Sequence, residues 1–190
     1  MQRNKTLMLI EIAIFTALAL ILDIIPFLNF KIWPAGGSIS LAMIPVFILA
    51  FRWGLKAGLT SGFLWGMLQI AVGNAYILHF LQGAIEYGLA FTVLGFAGVF
   101  SKQIQQAVKE KNTRQTFTYI TYGVLLGASL RFLCHFVAGF VFFASSAEFE
   151  PAWLYSLVYN ISYMLPAAII SLFAIFFLFN SQARTIIRTA

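Results

Sequence analysis

Residues 153–179 read WLYSLVYNISYMLPAAIISLFAIFFLF, 27 consecutive positions without a charged side chain. A helix needs about 20 apolar residues to cross the hydrocarbon core of a bilayer, so this stretch can span with room for tilt. Runs of the same kind recur towards the N-terminus. Apolar segments fall at 7–25, 39–51, 55–73, 76–100, 117–144 and 153–179, separated by the Pro, Gly and polar clusters that end helices. The pattern predicts an all-α integral membrane protein, with six transmembrane helices in one bundle and residues 1–190 forming one domain. The second segment is short: its 13 residues reach only ~20 Å, so it spans by tilting poorly or by resting against protein.

Composition points the same way. The chain is 61% hydrophobic and 9% charged, where a soluble domain carries about 25% charged residues, and its mean hydropathy is +0.90. A net charge of +6 could suit a nucleic-acid binder. The basic residues, however, sit at the ends of apolar segments rather than on one patch. Cys134 is alone inside an apolar stretch, which excludes a disulfide framework and a thiolate metal site. Arg3 and Lys5 precede Leu7–Ile25 as they would in a signal peptide, but no small-residue cleavage site follows before Pro26-Phe27-Leu28-Asn29. A retained first helix is expected, with Asp23 near its outer end.

Lysine and arginine orient the bundle, because cytoplasmic loops are enriched in them. With the N-terminus inside, the inner segments hold Arg3, Lys5, Arg52, Lys56, Lys102, Lys109, Lys111, Arg114, Arg184 and Arg188. The outer ones hold only Lys31, and Arg131 lies within the fifth helix. Both termini are therefore expected in the cytoplasm. The outer loop 145–152 carries Glu148 and Glu150, and the outer turn Gly73-Asn74-Ala75 is tight.

Charges and polar groups inside the spans are the informative residues, since each costs several kcal/mol unless paired, wet or functional. Glu11 lies within about a turn of Arg3 and Lys5 and reads as an interfacial charge. The others are His79, Gln82, Glu86, Tyr87, Arg131, His135, Tyr155, Tyr159 and Asn160. Helical spacing puts His79, Gly83 and Glu86 on one face of the fourth helix, and Arg131, His135, Gly139 and Phe142 or Phe143 on one stripe of the fifth. Counting from the outer ends at about 1.5 Å per residue, Glu86 lies ~16 Å inward, His135 ~15 Å and Asn160 ~10 Å. A carboxylate, an imidazole, an amide, phenols and phenylalanines at similar depth describe a pocket open to the outside. It would suit a flat, cationic, heteroaromatic ligand, with Glu86 as the only full negative charge at that depth.

Structural roles compete with this reading. Tyr76, Trp153 and Tyr155 are also placed to be interfacial-belt residues, His79 to be structural, and Arg131 to neutralise Glu86. The segment Pro26–Ser38, with Trp33, Pro34, Gly36 and Gly37, reads either as a lid or as a connector whose Trp lies in the belt. Catalytic signatures are missing: no H-E-x-x-H helix, G-x-S-x-G elbow or phosphate-binding P-loop occurs. No charged ring suggests a channel, and no internal repeat suggests a two-halved carrier.

Glu11-Ile12-Ala13-Ile14-Phe15-Thr16-Ala17, Ile44-Pro45, Phe51-Arg52-Trp53-Gly54-Leu55-Lys56-Ala57-Gly58-Leu59, Gly73-Asn74-Ala75-Tyr76, Glu86-Tyr87, His135-Phe136-Val137-Ala138-Gly139 and Tyr155-Ser156-Leu157-Val158-Tyr159-Asn160 follow one another in this order. In that order and spacing the chain resembles the thiamine-specific substrate-binding S-components of energy-coupling factor (ECF) transporters. The resemblance implies capture of thiamine outside the cell membrane. It also implies association with a transmembrane coupling protein and two cytoplasmic ATPases, which supply the energy; the chain itself is then neither an enzyme nor the holder of a cofactor. Glu86 would accept hydrogen bonds from the aminopyrimidine, with His135, Tyr87 and Gly139 lining the site. Tyr155 and Asn160 would add polar contacts, and Tyr76 and Trp33 aromatic cover. Phe143 stands where a family member has a stacking Trp, and the segment before helix two aligns less cleanly.

Ala13 and Ala17, one turn apart, make a groove for a close helix neighbour. By spacing alone that neighbour could lie within the bundle. The resemblance implies instead that this face docks on the coupling protein, after 26–38 has closed over thiamine and before ATP hydrolysis drives release. Alternatives are an S-component for another vitamin such as riboflavin, which a buried acid disfavours, and a membrane enzyme or scaffold.

Overall fold

The computed structural model describes residues 2–33, 36–147 and 151–182. Pro34, Glu148, Glu150, Arg184 and Arg188 lie outside the described residues, as does the side chain of Arg3. Helix α1 runs Gln2–Ile24 and stops two residues ahead of Pro26, as a residue before proline disfavours helix. Strands β1 (Asn29–Trp33) and β2 (Gly36–Ser40) follow, paired antiparallel with Asn29 opposite Ser40 and Trp33 opposite Gly36. Then come α2 (Met43–Trp53) and α3 (Leu55–Ala71), joined at Gly54, whose φ of 89° needs a glycine. The long helix α4 spans Phe80–Lys109, and α5 (Thr113–Phe142) and α6 (Ala152–Ser181) complete the order.

The fold is thus helical and membrane-embedded but not purely α: the segment read as a loop before the second helix is a β-hairpin. Several boundaries move with it. β2 takes residues 36–40, so α2 begins at Met43 rather than 39. Residues 74–79 are not helical, so α4 begins at Phe80 rather than 76. At its other end α4 continues through Ser101–Lys109, which is buried on one face at Ile104, Ala107 and Val108. Hydropathy follows only the apolar part of a helix, and amphipathic turns beyond the lipid escape it. For the same reason the first, fifth and sixth helices begin earlier than their apolar segments.

Four helices, α1, α4, α5 and α6, are long and apolar enough to cross a membrane. The 11-residue α2 rests against protein: Val46, Phe47, Leu49, Ala50 and Phe51 are all fully buried. Phe47 and Phe51 pack with Leu94 of α4, Val124 of α5 and Phe179 of α6, so the shortest helix is the centre of the core. Outward faces are apolar too, as a helix in lipid requires, with Ile14, Leu125 and Phe177 among the exposed residues. At the end of the bundle away from the hairpin, Glu11 pairs with Arg52 at 2.7 Å and accepts from Trp53 Nε1 at 2.6 Å, fastening α1 to the α2–α3 corner.

The tightest contact joins α3 to α4. A Cβ on Gly62 would stand 2.2 Å from the Phe91 carbonyl oxygen, and one on Gly66 would stand 1.8 Å from that of Tyr87. Gly58 and Gly95 meet in the same way one turn further in. Small residues every fourth position let two backbones touch in lipid, where packing rather than water exclusion holds helices together.

Gly66→Ala is therefore expected to push α4 outward and destabilise the protein by about 1–3 kcal/mol, the cost of overpacking. Gly88→Ala, whose Cβ would meet nothing within 4 Å, is expected to be neutral or slightly stabilising. Thermal unfolding of both variants in detergent compares them.

Candidate functional site

At one end of the bundle, the end of α1, the hairpin, the end of α3 and helices α4 to α6 enclose a cavity of about 380 Å³. That lies within the range of about 300–1,000 Å³ found for small-molecule sites. Every site residue read from the sequence lines it.

From α4 come Glu86 and Tyr87, and the helix is irregular where they stand. Ala84–Leu89 is a π-helix and Val93–Phe100 a 3₁₀-helix. Wide turns of this kind inside helices occur often at functional sites. Gln82, one turn earlier and fully buried, organises the region. Its carbonyl accepts from Leu78 N at 3.0 Å, and its amide donates to the Tyr76 carbonyl at 3.0 Å and to Glu86 Oε2. The Tyr87 hydroxyl accepts from Tyr76 N at 2.9 Å. Residues 76–79 are thus bonded to α4 rather than part of it, which displaces the expected depth of Glu86: it stands about 9 Å along the helix from Phe80. His79 does not share a face with Gly83 and Glu86. It caps α4, its Nδ1 accepting from Leu81 N at 3.1 Å, and its ring stacks on Phe142 at 5.6 Å.

From α5 come Arg131, His135, Gly139 and Phe143. Arg131 does not pair directly with Glu86, as the sequence allowed. Its Nε–H donates to His135 Nε2 at 3.3 Å, and His135 Nδ1 faces Glu86 Oε1 at 3.6 Å. An arginine can only donate, so Nε2 holds the lone pair and the ring proton sits on Nδ1, turned to the carboxylate. A neutral imidazole thus separates a cation from an anion. The guanidinium also lies over the rings of Phe91 at 4.3 Å and Trp65 at 4.9 Å. Gly139 has a packing reason as well: a Cβ there would meet Ser156 Oγ at 2.2 Å.

Helix α6 contributes Tyr155 and Asn160. Asn160 is buried, donating to the Ser156 carbonyl at 2.8 Å while its Oδ1 accepts from the Tyr163 hydroxyl at 2.8 Å. Trp33 reaches across from the hairpin: its Nε1 donates to Ser162 Oγ at 2.9 Å, and its ring lies 5.1 Å from Tyr159 and 6.2 Å from Tyr155. It is a cavity wall and not a lipid-facing belt residue. Tyr76 stacks on Phe143 at 6.3 Å, whereas Trp153 is exposed and does not line the cavity.

Asp23 and Gln69 are among the lining residues that sequence reasoning missed, with Asn29, Ser40 and Phe91, and Asp23 makes Glu86 one of two carboxylates in the wall. Gln69 donates to Asp23, and Asn74 Nδ2 to Gln69 Oε1 at 2.7 Å. The signal was present: a charge two residues from the end of an apolar run is as costly as one in its middle if the helix ends inside protein. Among the described residues no three His, Cys, Asp or Glu side chains gather as a metal site requires.

Comparison with known proteins places this geometry. Residues 9–187 match the family model described as Thiamine transporter protein (Thia_YuaJ). The thiamine transporter ThiT of Bacillus subtilis is 42% identical over 184 residues, covering 96% of this chain and 95% of the relative. ThiT of Lacticaseibacillus paracasei is 33% identical over 165 residues, covering 84% and 81%. The solved structure of ThiT from Listeria monocytogenes superposes with a TM-score of 0.89 at 34% identity, over 97% of this chain and 100% of that one.

Gln82→Met keeps the volume but strands Leu78 N–H, the Tyr76 carbonyl and one Glu86 oxygen. Leaving buried polar groups unpaired is expected to cost about 1–3 kcal/mol each at most, partly relieved by water. Hydrogen exchange should locate the loosening at residues 76–79, and equal protection there in the variant would contradict the role given to Gln82.

Proposed function

Since this chain belongs to the thiamine transporter protein family, we propose that it captures thiamine as the substrate-binding S-component of an ECF importer. It is a transport protein rather than an enzyme, and it works in thiamine uptake. The observation that carries the reading is one cavity that joins a carboxylate to aromatic walls. Thiamine has the complementary features: an aminopyrimidine with donors for a carboxylate, a cationic thiazolium for aromatic faces, and no net apolar bulk.

In this reading the aminopyrimidine donates to Glu86, whose orientation Gln82 and His135 fix, and Phe143 stacks on it. Tyr87, Tyr155 and Asn160 supply polar edges, and Gly139 leaves room beside Ser156. Tyr76 and Trp33 cover the thiazolium, with the hairpin as the closing element. Six spans, both termini in the cytoplasm and a site facing outside follow from the distribution of Lys and Arg.

Nothing in the chain is proposed to hydrolyse ATP, so the energy comes from two partner ATPases through a transmembrane coupling protein. Ala13 and Ala17 are both exposed on α1, beside exposed Ile14 and Leu18. Their smallness is not used to pack the bundle, and we assign this face to the coupling protein.

Titration of the detergent-purified chain with thiamine should quench tryptophan fluorescence saturably, through Trp33, while riboflavin and biotin do not; calorimetry gives the same Kd. Glu86→Gln is expected to raise that Kd roughly ten- to a hundredfold, the worth of a hydrogen bond to a charged group. Unchanged affinity would remove Glu86 from the site. Ala13→Trp or Ala17→Trp is expected to spare binding and abolish uptake into cells; equal loss of both would sink the docking assignment.

A further inference from the structure

Asp23 places a second carboxylate on the wall that Glu86 lines, and the hydrogen bonds that hold it come from neutral groups. Its side chain accepts from the Gln69 amide and the Ser40 hydroxyl, and its backbone carbonyl from the Asn29 amide. Gln69 cannot turn away, because Asn74 occupies its Oε1 and leaves the NH₂ end for Asp23. Helix α3 and strand β2 thus hold this carboxylate without neutralising it, and β1 holds its backbone.

Arg131 is the matching case of opposite sign. A guanidinium stays charged in proteins, yet its hydrogen bond goes to the neutral His135 and its plane covers Phe91 and Trp65. Among the described residues it makes no direct ion pair. Trp65 stands one turn before Gln69 on α3, so the groups that carry Arg131 and Asp23 are about 6 Å apart along one helix face. Each charge acts on the other, and in a site of reduced dielectric such an attraction holds without contact.

The signs can be added. Asp23 and Glu86 are negative, Arg131 is positive, His135 is neutral by its tautomer, and Lys31 is exposed at the rim. The enclosed set carries one net negative charge, which a monocation cancels. Without Asp23 the set would be neutral. Arg131 would then be the cation with first claim on Glu86, which it already approaches through His135.

We propose that Asp23 is the counter-ion of Arg131, a positioning residue that leaves Glu86 unmatched for a monocationic ligand and so selects for positive charge. The proposal rests on reading the cavity as the thiamine site. Asp23 acts here through Arg131 and not by touching the ligand. Its rival is a purely structural Asp23, a peg joining the end of α1 to α3 and the hairpin.

The test is calorimetric titration of the detergent-purified chain as wild type, Asp23→Asn, Arg131→Met and the double variant. Each is titrated with thiamine and with a neutral analogue whose thiazolium is replaced by thiophene. Asp23→Asn is expected to weaken thiamine about tenfold or more and the neutral analogue less than about threefold, and its effect on thiamine should fall below about threefold once Arg131 is Met. Binding of the neutral analogue also reports that each variant is folded. Equal loss of both ligands, loss independent of Arg131, or no loss of thiamine affinity would each overturn the proposal. A wild-type chain that takes no thiamine overturns the functional reading itself, and this proposal with it.

Discussion

The backbone contact between α3 and α4 is the constraint on which the rest of the outer half depends. Gly62 and Gly66 put α3 against the carbonyls of Phe91 and Tyr87, closer than any side chain would permit. A helix held that close cannot rotate, so the direction of Glu86, next to Tyr87, is set by packing. The π-helix at Ala84–Leu89 includes Tyr87, one side of this contact, and its wider turn leaves backbone groups for other partners. Thr92 Oγ1 takes one of them, donating to the Gly88 carbonyl at 2.6 Å. A regular helix would be easier to form; the irregular one is held because glycine on one side and Gln82 on the other determine where it must pass.

Glu86 stands in a medium where an isolated ion is expensive, and its neighbours lower that cost without cancelling the charge. Gln82 donates to one oxygen and His135 turns its protonated nitrogen towards the other. Arg131 supplies positive potential from the far side of the imidazole. Had arginine reached the carboxylate directly, a bidentate pair would have used the acceptor sites that a ligand needs. The imidazole spacer leaves those acceptor sites available, and on the proposed reading that availability is what an aminopyrimidine requires.

Much of this was legible in the sequence, and the rest was hidden for identifiable reasons. Glu86, His135 and Asn160 stand out because polar groups in lipid need a purpose. The hairpin did not: Asn29–Trp33 is short, and its neighbours Pro26, Gly36 and Gly37 read as loop. The glycines at 54, 58, 62 and 66 recur every fourth residue in plain view, but their partners, Tyr87, Phe91 and Gly95, lie too far along the chain for periodicity to reach. The segment 76–79 was counted as helix because its residues are mostly apolar; what unwinds it is Gln82, whose side chain competes for the same backbone groups. Asp23 was set aside as a helix end, although its side chain lines the cavity.

Helix α1 has two unlike faces, and their arrangement connects the outer site to the membrane-facing surface. Ile12, Thr16 and Ala19 are buried at helical spacing, and Thr16 shares a hydrogen bond of 2.9 Å with Ser61 of α3. Polar tethers hold the helix near its start through Glu11 and near its end through Asp23. Between them the opposite face, with Ala13, Ile14, Ala17 and Leu18, is exposed. Ile12, Phe15, Ala19 and Leu22 pack α1 on its neighbours, and a change in charge around Asp23 acts on one of its two polar tethers. If that exposed face docks on a coupling protein, as proposed, the same rod that lines the cavity with Asp23 presents the surface by which occupancy is read.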